Sequence, residues 1–217
     1  MSTNRGDANV ARFDEKAKTW DEDPRRVAIA LAIARAVEAR LGANERPRLM
    51  EYGCGTGLCC LSLARRCASV LGVDFSVEML ARLEAKARAA GFGHVTTRRH
   101  DLTAAPLGES EFNVILCAMT LHHVREIGLL LRRFHSMLAD GGLLAVADLD
   151  KEDGSFHEDP RGVEHHGFDR EWIRQQLKEA GFVQVSFETA HEIEKPGPSG
   201  EVRRFPVFLA AARKAGH

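Results

Sequence analysis

The chain of 217 residues is long enough for one well-buried domain, and its composition, 44% hydrophobic and 28% charged, is that of a globular protein. The 30 basic and 31 acidic residues leave a formal net charge of -1, so electrostatics give no reason to expect a nucleic-acid or membrane-surface partner. No apolar run approaches the roughly 20 residues of a membrane span, and the first residues lack the apolar segment of a signal peptide. By default we expect a cytoplasmic protein.

The five cysteines are predicted to be packing residues. Their odd number, in a chain without a recognisable export signal, argues against a disulfide framework. They form no CxxC pair, and Cys60 and Cys67 lie seven residues apart, on one face of a predicted helix. We therefore expect no metal site built from these thiols.

Short apolar runs alternate with helical stretches, the pattern of an α/β protein with a largely parallel sheet. An alanine-rich helix is predicted first, from Pro24 to Leu41. The predicted strands are Arg48–Gly53, Val70–Phe75, His94–Arg99, Phe112–Ala118, Leu143–Leu149, Phe182–Thr189 and about Phe205–Ala211. The helices between them are predicted over about Gly57–Ala68, Val77–Ala90, about Glu126–Leu138 and Asp169–Ala180. Two stretches lie outside the alternation, residues 1–47 and the loop 151–168.

A glycine-rich turn joins the first strand to the helix that follows it. Gly53, Gly55 and Gly57 alternate with other residues in LMEYGCGTG, which lets the backbone turn sharply and brings a ligand close to main-chain amides. The helix start adds free N–H groups and a positive dipole end. In a dinucleotide-binding GxGxxG motif the third glycine falls five residues after the first, whereas Gly57 falls four after Gly53. The spacing disfavours a nicotinamide dinucleotide.

Two acidic residues flank this turn. Glu51 lies two residues before Gly53, where a carboxylate would repel a pyrophosphate and suit a ligand with an ammonium group. Asp74, 21 residues after Gly53, ends the second strand, where a carboxylate can accept both hydroxyls of a ribose. The expected ligand carries a ribose and a positive charge, and no phosphate. The alternatives are a surface charge for Glu51 and a helix-terminal acid for Asp74, since Ser76 and Glu78 follow it.

Six motifs, in order, resemble those of the class I S-adenosylmethionine-dependent methyltransferases, in the small-molecule group that includes ubiquinone and menaquinone C-methyltransferases. They are EYGCGTG, LGVDFSVEML, HDLTAAPL, FNVILCAMTLHHV, LADGGLLAVADLD and FDREWIRQQLKEAGF. The resemblance implies a Rossmann-like α/β fold with a seven-stranded, mostly parallel sheet in the order 3-2-1-4-5-7-6, the last strand antiparallel, and helices on both faces. It also implies that residues 48–217 form a methyltransferase domain that uses S-adenosylmethionine to methylate a small molecule, within a single domain overall.

The same resemblance implies particular cofactor-binding residues. Glu51 would orient the amino group, Asp74 would hold the ribose hydroxyls, and Ala118 would border the sulfonium. The other residues implied for this site are Trp20, Gly53, Cys54, Gly55, Gly57, Phe75, Met79, Asp101 and Leu102. Phe75 and Met79 would flank the adenine, with Asp101 and Leu102 at its edge. The alternatives are a turn cap for Asp101 and core packing for Met79.

The segment FDEKAKTWD, residues 13–21, resembles the lid of this family, in which an aromatic residue and an Asp close over both ligands. We therefore expect residues 1–47 to be an N-terminal helical lid segment. The alternative is an ordinary amphipathic helix.

Two adjacent histidines are the candidate catalytic residues. His122 and His123 follow the fourth strand, at the edge where open α/β sheets place ligands, and histidine titrates near neutrality. A methyl acceptor needs a general base only when its nucleophile must lose a proton. We expect His122 to be the base, with His123 as the second candidate; the alternative is that they cap a helix or stack beneath the substrate. Three further histidines, His157, His165 and His166, would rise over the same edge, yet we expect no metal.

Two functions of other classes stay open at this point. A nicotinamide dehydrogenase is disfavoured by the glycine spacing and by Glu51. A scaffold or sensor that binds the cofactor without transferring a methyl group would keep the same motifs, because a fold does not fix a function.

Overall fold

Strands and helices alternate along the computed structural model, which describes residues 3–43, 45–108, 111–197 and 199–216. The strands are β1 Arg48–Tyr52, β2 Ser69–Asp74, β3 Val95–Arg99, β4 Phe112–Ala118, β5 Leu138–Leu149, β6 Phe182–Pro196 and β7 Val202–Lys214. The helices are α1 Thr3–Lys16, α2 Pro24–Glu38, α3 Leu58–Leu63, α4 Val77–Ala89, α5 Ile127–Met137 and α6 Arg170–Glu179. Short 3-10 turns lie at Trp20–Glu22, Ala64–Arg66 and Leu121–His123.

The strands form one seven-stranded sheet in the order β3-β2-β1-β4-β5-β7-β6. The pairs among β1 to β5 are parallel, and β7 runs antiparallel to both β5 and β6. This confirms the predicted fold class and strand order. Because β1 to β5 run in the same direction, their carboxyl ends meet at one edge of the sheet, where the loops that follow them converge.

Side chains of alternate strand residues build a core on each face of the sheet. Leu49 belongs to the cluster under α2, α3 and α4, whereas its neighbour Met50 belongs to the cluster under α5 and α6. All five cysteines are buried and free, as predicted for packing residues. No helix in the described ranges is both long and apolar enough to cross a bilayer.

The first 47 residues divide into two parts. Within α2, Ile33 and Val37 are fully buried in the core, so this helix belongs to the body of the fold. Residues 10–22, which comprise the end of α1 and the turn after it, lie across the carboxyl edge of the sheet. We call residues 10–22 the covering segment.

The last hairpin is longer than predicted. The predicted strands ended at Thr189 and began again at about Phe205, but β6 and β7 stay paired out to Pro196 and Val202. The reason lies in Ile193 and its partner Phe205, which are buried in the core cluster that contains α2. The extension brings the tip of the hairpin to the same edge of the sheet as the covering segment.

Other boundaries also differ from the prediction, most clearly those of β5 and α3. Strand β5 begins at Leu138, before the Asp140-Gly141-Gly142 turn, because Phe112 pairs with Leu138 and the register then shifts before Val114 pairs with Leu143. Helix α3 is short and ends in a 3-10 turn, so that Cys67 lies after the helix and not within it.

Candidate functional site

A cavity of about 400 Å³ opens at the carboxyl ends of β1, β2 and β4. The glycine turn and the residues after β2 form one end of it. The other end is formed by the 3-10 turn at Leu121–His123, the loop at 156–159 and the tip of β6, with the covering segment above. This is the edge where ligands of open α/β sheets bind.

The three glycines of the turn have positive φ values, but they serve different purposes. Gly55, with φ 51°, lines the cavity, and the nearest atom to a Cβ built there is Met79 Sδ at 3.9 Å. A Cβ on Gly57 would overlap the side chain of Leu83, and one on Gly53 would overlap Thr120. Gly55 therefore leaves room for a ligand beside the backbone, whereas Gly57 lies outside the cavity lining and is explained by packing.

Glu51 is a buried acid in the cavity wall, with only 2% of its surface exposed. Its Oε2 accepts a hydrogen bond from the backbone N–H of Cys60 at 2.8 Å, which ties β1 to the first turn of α3. Burial raises the pKa of this carboxyl to about 7. A cationic ligand group beside it would favour the ionised form and offset part of that cost.

Asp74 lines the cavity at the end of β2. Its Oδ2 accepts from Gly55 N at 2.8 Å and its Oδ1 from Ser76 N at 2.9 Å, so it holds the glycine turn in place. Burial raises its pKa in spite of these two bonds. Because a carboxylate offers about four lone-pair positions, Asp74 keeps acceptor capacity for a ligand.

The other residues implied for the cofactor fall into two groups. Those that line the cavity are Trp20, Gly53, Cys54, Phe75, Met79 and Ala118. Leu102 does not, because it is fully buried in the core beneath α5. Asp101 also lies outside the lining and accepts bonds from Tyr52 Oη at 3.3 Å and Thr103 N at 2.7 Å, the contacts of a turn cap.

His122 lies in the cavity wall and forms a pair with a buried aspartate. Its Nδ1 is 2.8 Å from Asp148 Oδ1, and its backbone N–H donates to Asp148 Oδ2 at 3.1 Å. Burial opposes ionisation of Asp148, but His122 and the backbone amides outweigh it and the pKa of Asp148 is lowered. The ionised carboxylate can only accept, so Nδ1 of His122 carries a proton towards it, and in the neutral ring the lone pair lies on Nε2. His122 is thus held in the tautomer of a base.

His123 has a different environment, although it also lines the cavity. Its Nδ1–H donates to the carbonyl of Gly162 at 2.6 Å, and its ring meets Phe13 edge-on at 5.5 Å. Burial, with the neighbouring His122, lowers the pKa of His123 to about 3. A neutral ring with so low a pKa suits packing between the covering segment and the later loop better than proton transfer.

Of the three histidines in the loop after β5, His157 lies beside His122. The ring of His157 lies 4.9 Å from that of His122, whereas His165 bonds the Val124 carbonyl and His166 lies near Glu152. Among the described residues, no three His, Cys, Asp or Glu side chains are arranged to share a metal ion.

The covering segment is tied down by two acidic residues. Asp14 accepts a hydrogen bond from the Ser76 hydroxyl, at the start of α4. Asp21 accepts from the Thr56 hydroxyl in the glycine turn and forms an ion pair with Lys86 of α4 at 2.6 Å. These bonds join the segment to the parts of the chain that flank the cavity.

Aromatic and charged contacts extend this attachment to the other side of the cavity. Phe13 packs against Trp20 and Phe75, with ring centroids 5.9 and 6.5 Å apart. Arg12 reaches Asp159 in the loop after β5, at 3.4 Å. The segment therefore spans from the glycine turn to the later loop.

Sequence reasoning missed several charged residues near the cavity, and three of them bear on its chemistry. Asp148 could have been found, because it is an acid within an otherwise apolar predicted strand. Arg26, whose guanidinium lies 4.0 Å above the Trp20 ring, and Lys195 at the tip of β6 carried no such signal. Both become part of the cavity only through the packing of α2 and the length of the last hairpin.

Comparison with known proteins identifies related sequences. A family model described as a methyltransferase domain matches residues 49–142. A ubiquinone biosynthesis O-methyltransferase of Nitrobacter winogradskyi is 34% identical over 110 residues, which make up 50% of this chain and 41% of the relative. A protein of the same name from Azorhizobium caulinodans is 30% identical over 166 residues, 69% of this chain and 64% of the relative. The chain thus spans 41 to 64% of the length of these curated relatives.

Among solved structures, the DhpI–SAH complex matches with a TM-score of 0.75 and 20% identity, over 100% of this chain and 99% of that one. At this identity the likeness concerns the fold. It extends over the covering segment and the last hairpin as well as the sheet, because the alignment includes the whole chain.

Proposed function

The chain belongs to the class I S-adenosylmethionine-dependent methyltransferases, and on this premise we propose that it transfers the methyl group of S-adenosylmethionine to a hydroxyl group of a small molecule. The observation that carries the proposal is the single cavity that has a nucleoside-type site at one end and the His122–Asp148 pair at the other. The O-methyltransferase names of the two relatives support a hydroxyl acceptor.

The cofactor end fits S-adenosylmethionine by its chemistry. Gly55 leaves space beside the backbone, Asp74 has acceptor positions for ribose hydroxyls, and the buried Glu51 suits an ammonium group. The amino-acid carboxylate of the cofactor needs a cation as its partner. Arg26, in the first turn of α2, would supply it, because its guanidinium is half-buried and lies above the Trp20 ring. Phe75 and Met79 would supply apolar surface for the adenine.

When bound, S-adenosylmethionine supplies a methyl group on a positively charged sulfur. The residues of the chain orient the acceptor towards it and keep water out, which are the main contributions a protein makes to such a displacement. The covering segment would exclude water, since Phe13 and Trp20 line the cavity beneath it. Thr120 and Ala118, at the end of β4, would border the reacting atoms.

His122 would accept the hydroxyl proton of the acceptor on Nε2. Asp148 would hold the ring in that tautomer and stabilise the imidazolium that forms, as the carboxylate of a catalytic triad does. A lone hydroxyl is a poor nucleophile near neutral pH, so a base in this position raises the rate. His123, with its low pKa, would position the covering segment instead.

Calorimetry with S-adenosylhomocysteine and with NAD tests the cofactor assignment. We expect S-adenosylhomocysteine to bind and NAD not to bind. Binding of NAD alone would overturn the proposal in favour of a dehydrogenase.

Transfer itself is tested by incubating the protein with labelled S-adenosylmethionine and pools of small metabolites. We expect S-adenosylhomocysteine and a labelled methyl ether to form together. Cofactor binding without turnover in any pool would favour the scaffold or sensor.

A further inference from the structure

The acceptor end of the cavity contains polar groups that neither the cofactor nor the base uses. We propose that Lys195 and His157 form a subsite for an anionic group of the methyl acceptor, either a carboxylate or a phosphate ester. This inference rests on the proposed function and narrows its substrate class to hydroxyl compounds that carry a negative charge.

Lys195 provides the charge of this subsite. It lies on β6 near the hairpin tip, half-buried in the cavity lining, and its Nζ donates to the Phe156 carbonyl at 2.6 Å and lies 4.2 Å from the centre of the Phe156 ring. An ammonium group has three N–H donors, so two stay open. In the described part of the chain, no carboxylate lies within 4.0 Å of Nζ. Burial, with the nearby Arg25, lowers the pKa of Lys195, which an anion beside it would reverse.

His157 provides the second polar atom. Its Nε2 is buried and has no hydrogen-bond partner among the residues that the structure describes. An unpaired buried nitrogen is costly, and such atoms occur where a ligand completes them. Because the His157 ring lies 4.9 Å from the His122 ring, a group bound here would place the rest of the acceptor beside the base.

The acidic residues around this end are already paired or exposed. Asp23 accepts two bonds from the Arg25 guanidinium, at 3.2 and 3.3 Å, and one from its backbone N–H at 2.9 Å. Asp159 pairs with Arg161 at 2.8 Å, and Glu158 is exposed at the mouth of the cavity. Glu152, whose Oε2 accepts from Gly154 N and Phe156 N, also attracts the Lys195 charge. Burial and Arg25 outweigh the attraction of Glu158, Asp23 and Glu152, so the pKa of Lys195 is still lowered and these carboxylates do not fully compensate its charge.

The surface between the two polar groups and the cofactor end is apolar. Ile29, Ile33, Phe156 and Ile193 line this part of the cavity. A small acceptor with a hydrocarbon or aromatic body would bury that body here, with its anionic group at Lys195 and its hydroxyl at His122.

Equilibrium titration of the intact protein, saturated with S-adenosylhomocysteine, tests the subsite without any turnover. The probes are benzoate and phenyl phosphate, with neutral benzamide as the matched control. We expect at least one anion to bind about tenfold or more tightly than benzamide, the usual gain from a charge-assisted hydrogen bond.

Four variants separate the subsite from general charge. Lys195→Met and His157→Phe should each weaken the anion by several-fold and leave benzamide unchanged. Lys195→Arg should restore the preference, and Lys178→Met, an exposed lysine on α6, should not alter it. Equal binding of benzamide and both anions, or an anion preference that survives Lys195→Met and His157→Phe, overturns the subsite. Failure to bind S-adenosylhomocysteine would instead contradict the proposed function, and the two failures are measured separately.

Discussion

The two ends of the cavity are built in different ways. Most of the cofactor end comes from one stretch of chain, residues 51–79, where two strand ends and a glycine turn present backbone amides and two buried acids, and Arg26 of α2 adds a cation. The acceptor end combines side chains from α1, α2, the turn after β4, the loop after β5 and the tip of β6. The first end is thus determined by local chain geometry and the second by long-range packing. A ligand shared by a family suits the first, and a substrate that varies suits the second.

The two ends of the cavity also differ in their charged groups. The cofactor end holds two acids, Glu51 and Asp74, whose pKa values are raised by burial. The acceptor end holds Lys195 and two histidines whose pKa values are lowered by burial, to about 3 for His123 and about 4 for His157. A cationic cofactor group and an anionic acceptor would each meet the complementary charge. Substitutions at the two ends should therefore separate binding from turnover.

The largest effect is expected at the acceptor end, from His122→Ala. Loss of the base should lower kcat by roughly 10²–10⁴-fold, while the affinity for S-adenosylhomocysteine stays within a few-fold, because His122 belongs to the other half of the cavity. Steady-state kinetics and calorimetry on the same preparation measure the two quantities. Asp148→Asn should lower kcat in the same direction, because the ring then loses the ionised acceptor that orients its Nδ1–H.

His100→Ala is the matched control for that prediction, because His100 is a histidine after β3 that bonds the Ala105 carbonyl and does not line the cavity. A His122→Ala protein with an unaltered kcat would show that positioning alone drives the transfer. An equal loss of cofactor affinity would show that the two ends do not act separately.

The next effect is expected at the cofactor end, from Asp74→Ala. The change removes the acceptors for the ribose hydroxyls and for Gly55 N, and should weaken S-adenosylhomocysteine binding by about 1–3 kcal/mol. Turnover at saturating cofactor should change much less. Calorimetry on Asp101→Asn supplies the control, since that carboxylate also caps a turn after a strand but lies outside the cavity lining. Unchanged affinity in folded Asp74→Ala would restrict Asp74 to supporting the turn.

The unequal construction of the two ends explains what could be predicted from the sequence. Glycine spacing and strand-end acids are local features, so the place of Glu51 and Asp74 followed from the sequence. The α/β class followed from the alternation of strands and helices, and the strand order from the resemblance of six motifs to a known family. Lys195 did not, because the hairpin tip is defined by Ile193 packing beneath α2, which no local pattern encodes. The burial of Leu102 was not predicted either, because a leucine after a weak strand can face the core or a ligand, and only the packing of the fold decides between them.

A pH dependence is expected at the cofactor end because of Glu51. Its pKa is about 7 in the free protein against an ordinary 4.5, and an ammonium ligand lowers it, so binding releases a proton. Affinity for S-adenosylhomocysteine should therefore rise with pH up to about 7 and level off above it, by up to about tenfold per pH unit. Because the pKa is higher in the folded than in the unfolded state, the free energy of unfolding of the ligand-free protein should decrease as the pH rises from 4.5 to 7.

Calorimetry in buffers of different ionisation enthalpy counts the released proton directly. Glu51→Gln should bind more weakly and lose the pH dependence, while Glu84→Gln, a carboxylate of α4 that does not line the cavity, should keep it. A pH-independent affinity in the unmodified protein would mean that Glu51 stays in one ionisation state throughout.

The smallest effect is expected where the two ends meet, at the covering segment. Asp21 joins this segment to the glycine turn through Thr56 and to α4 through Lys86. Thr56 is a neutral partner, and Lys86 is a partly exposed one. Such contacts contribute on the order of 1 kcal/mol, so Asp21→Asn should weaken S-adenosylhomocysteine by roughly threefold to tenfold. It should also speed amide hydrogen exchange in residues 10–22 without changing it in β4, because the segment would open while the sheet stays folded. Glu15→Gln, an exposed acid of α1, is the control. Faster exchange at unchanged affinity would separate the segment from cofactor binding and leave it to the acceptor end alone, where Arg12 and Phe13 hold it against Asp159 and His123.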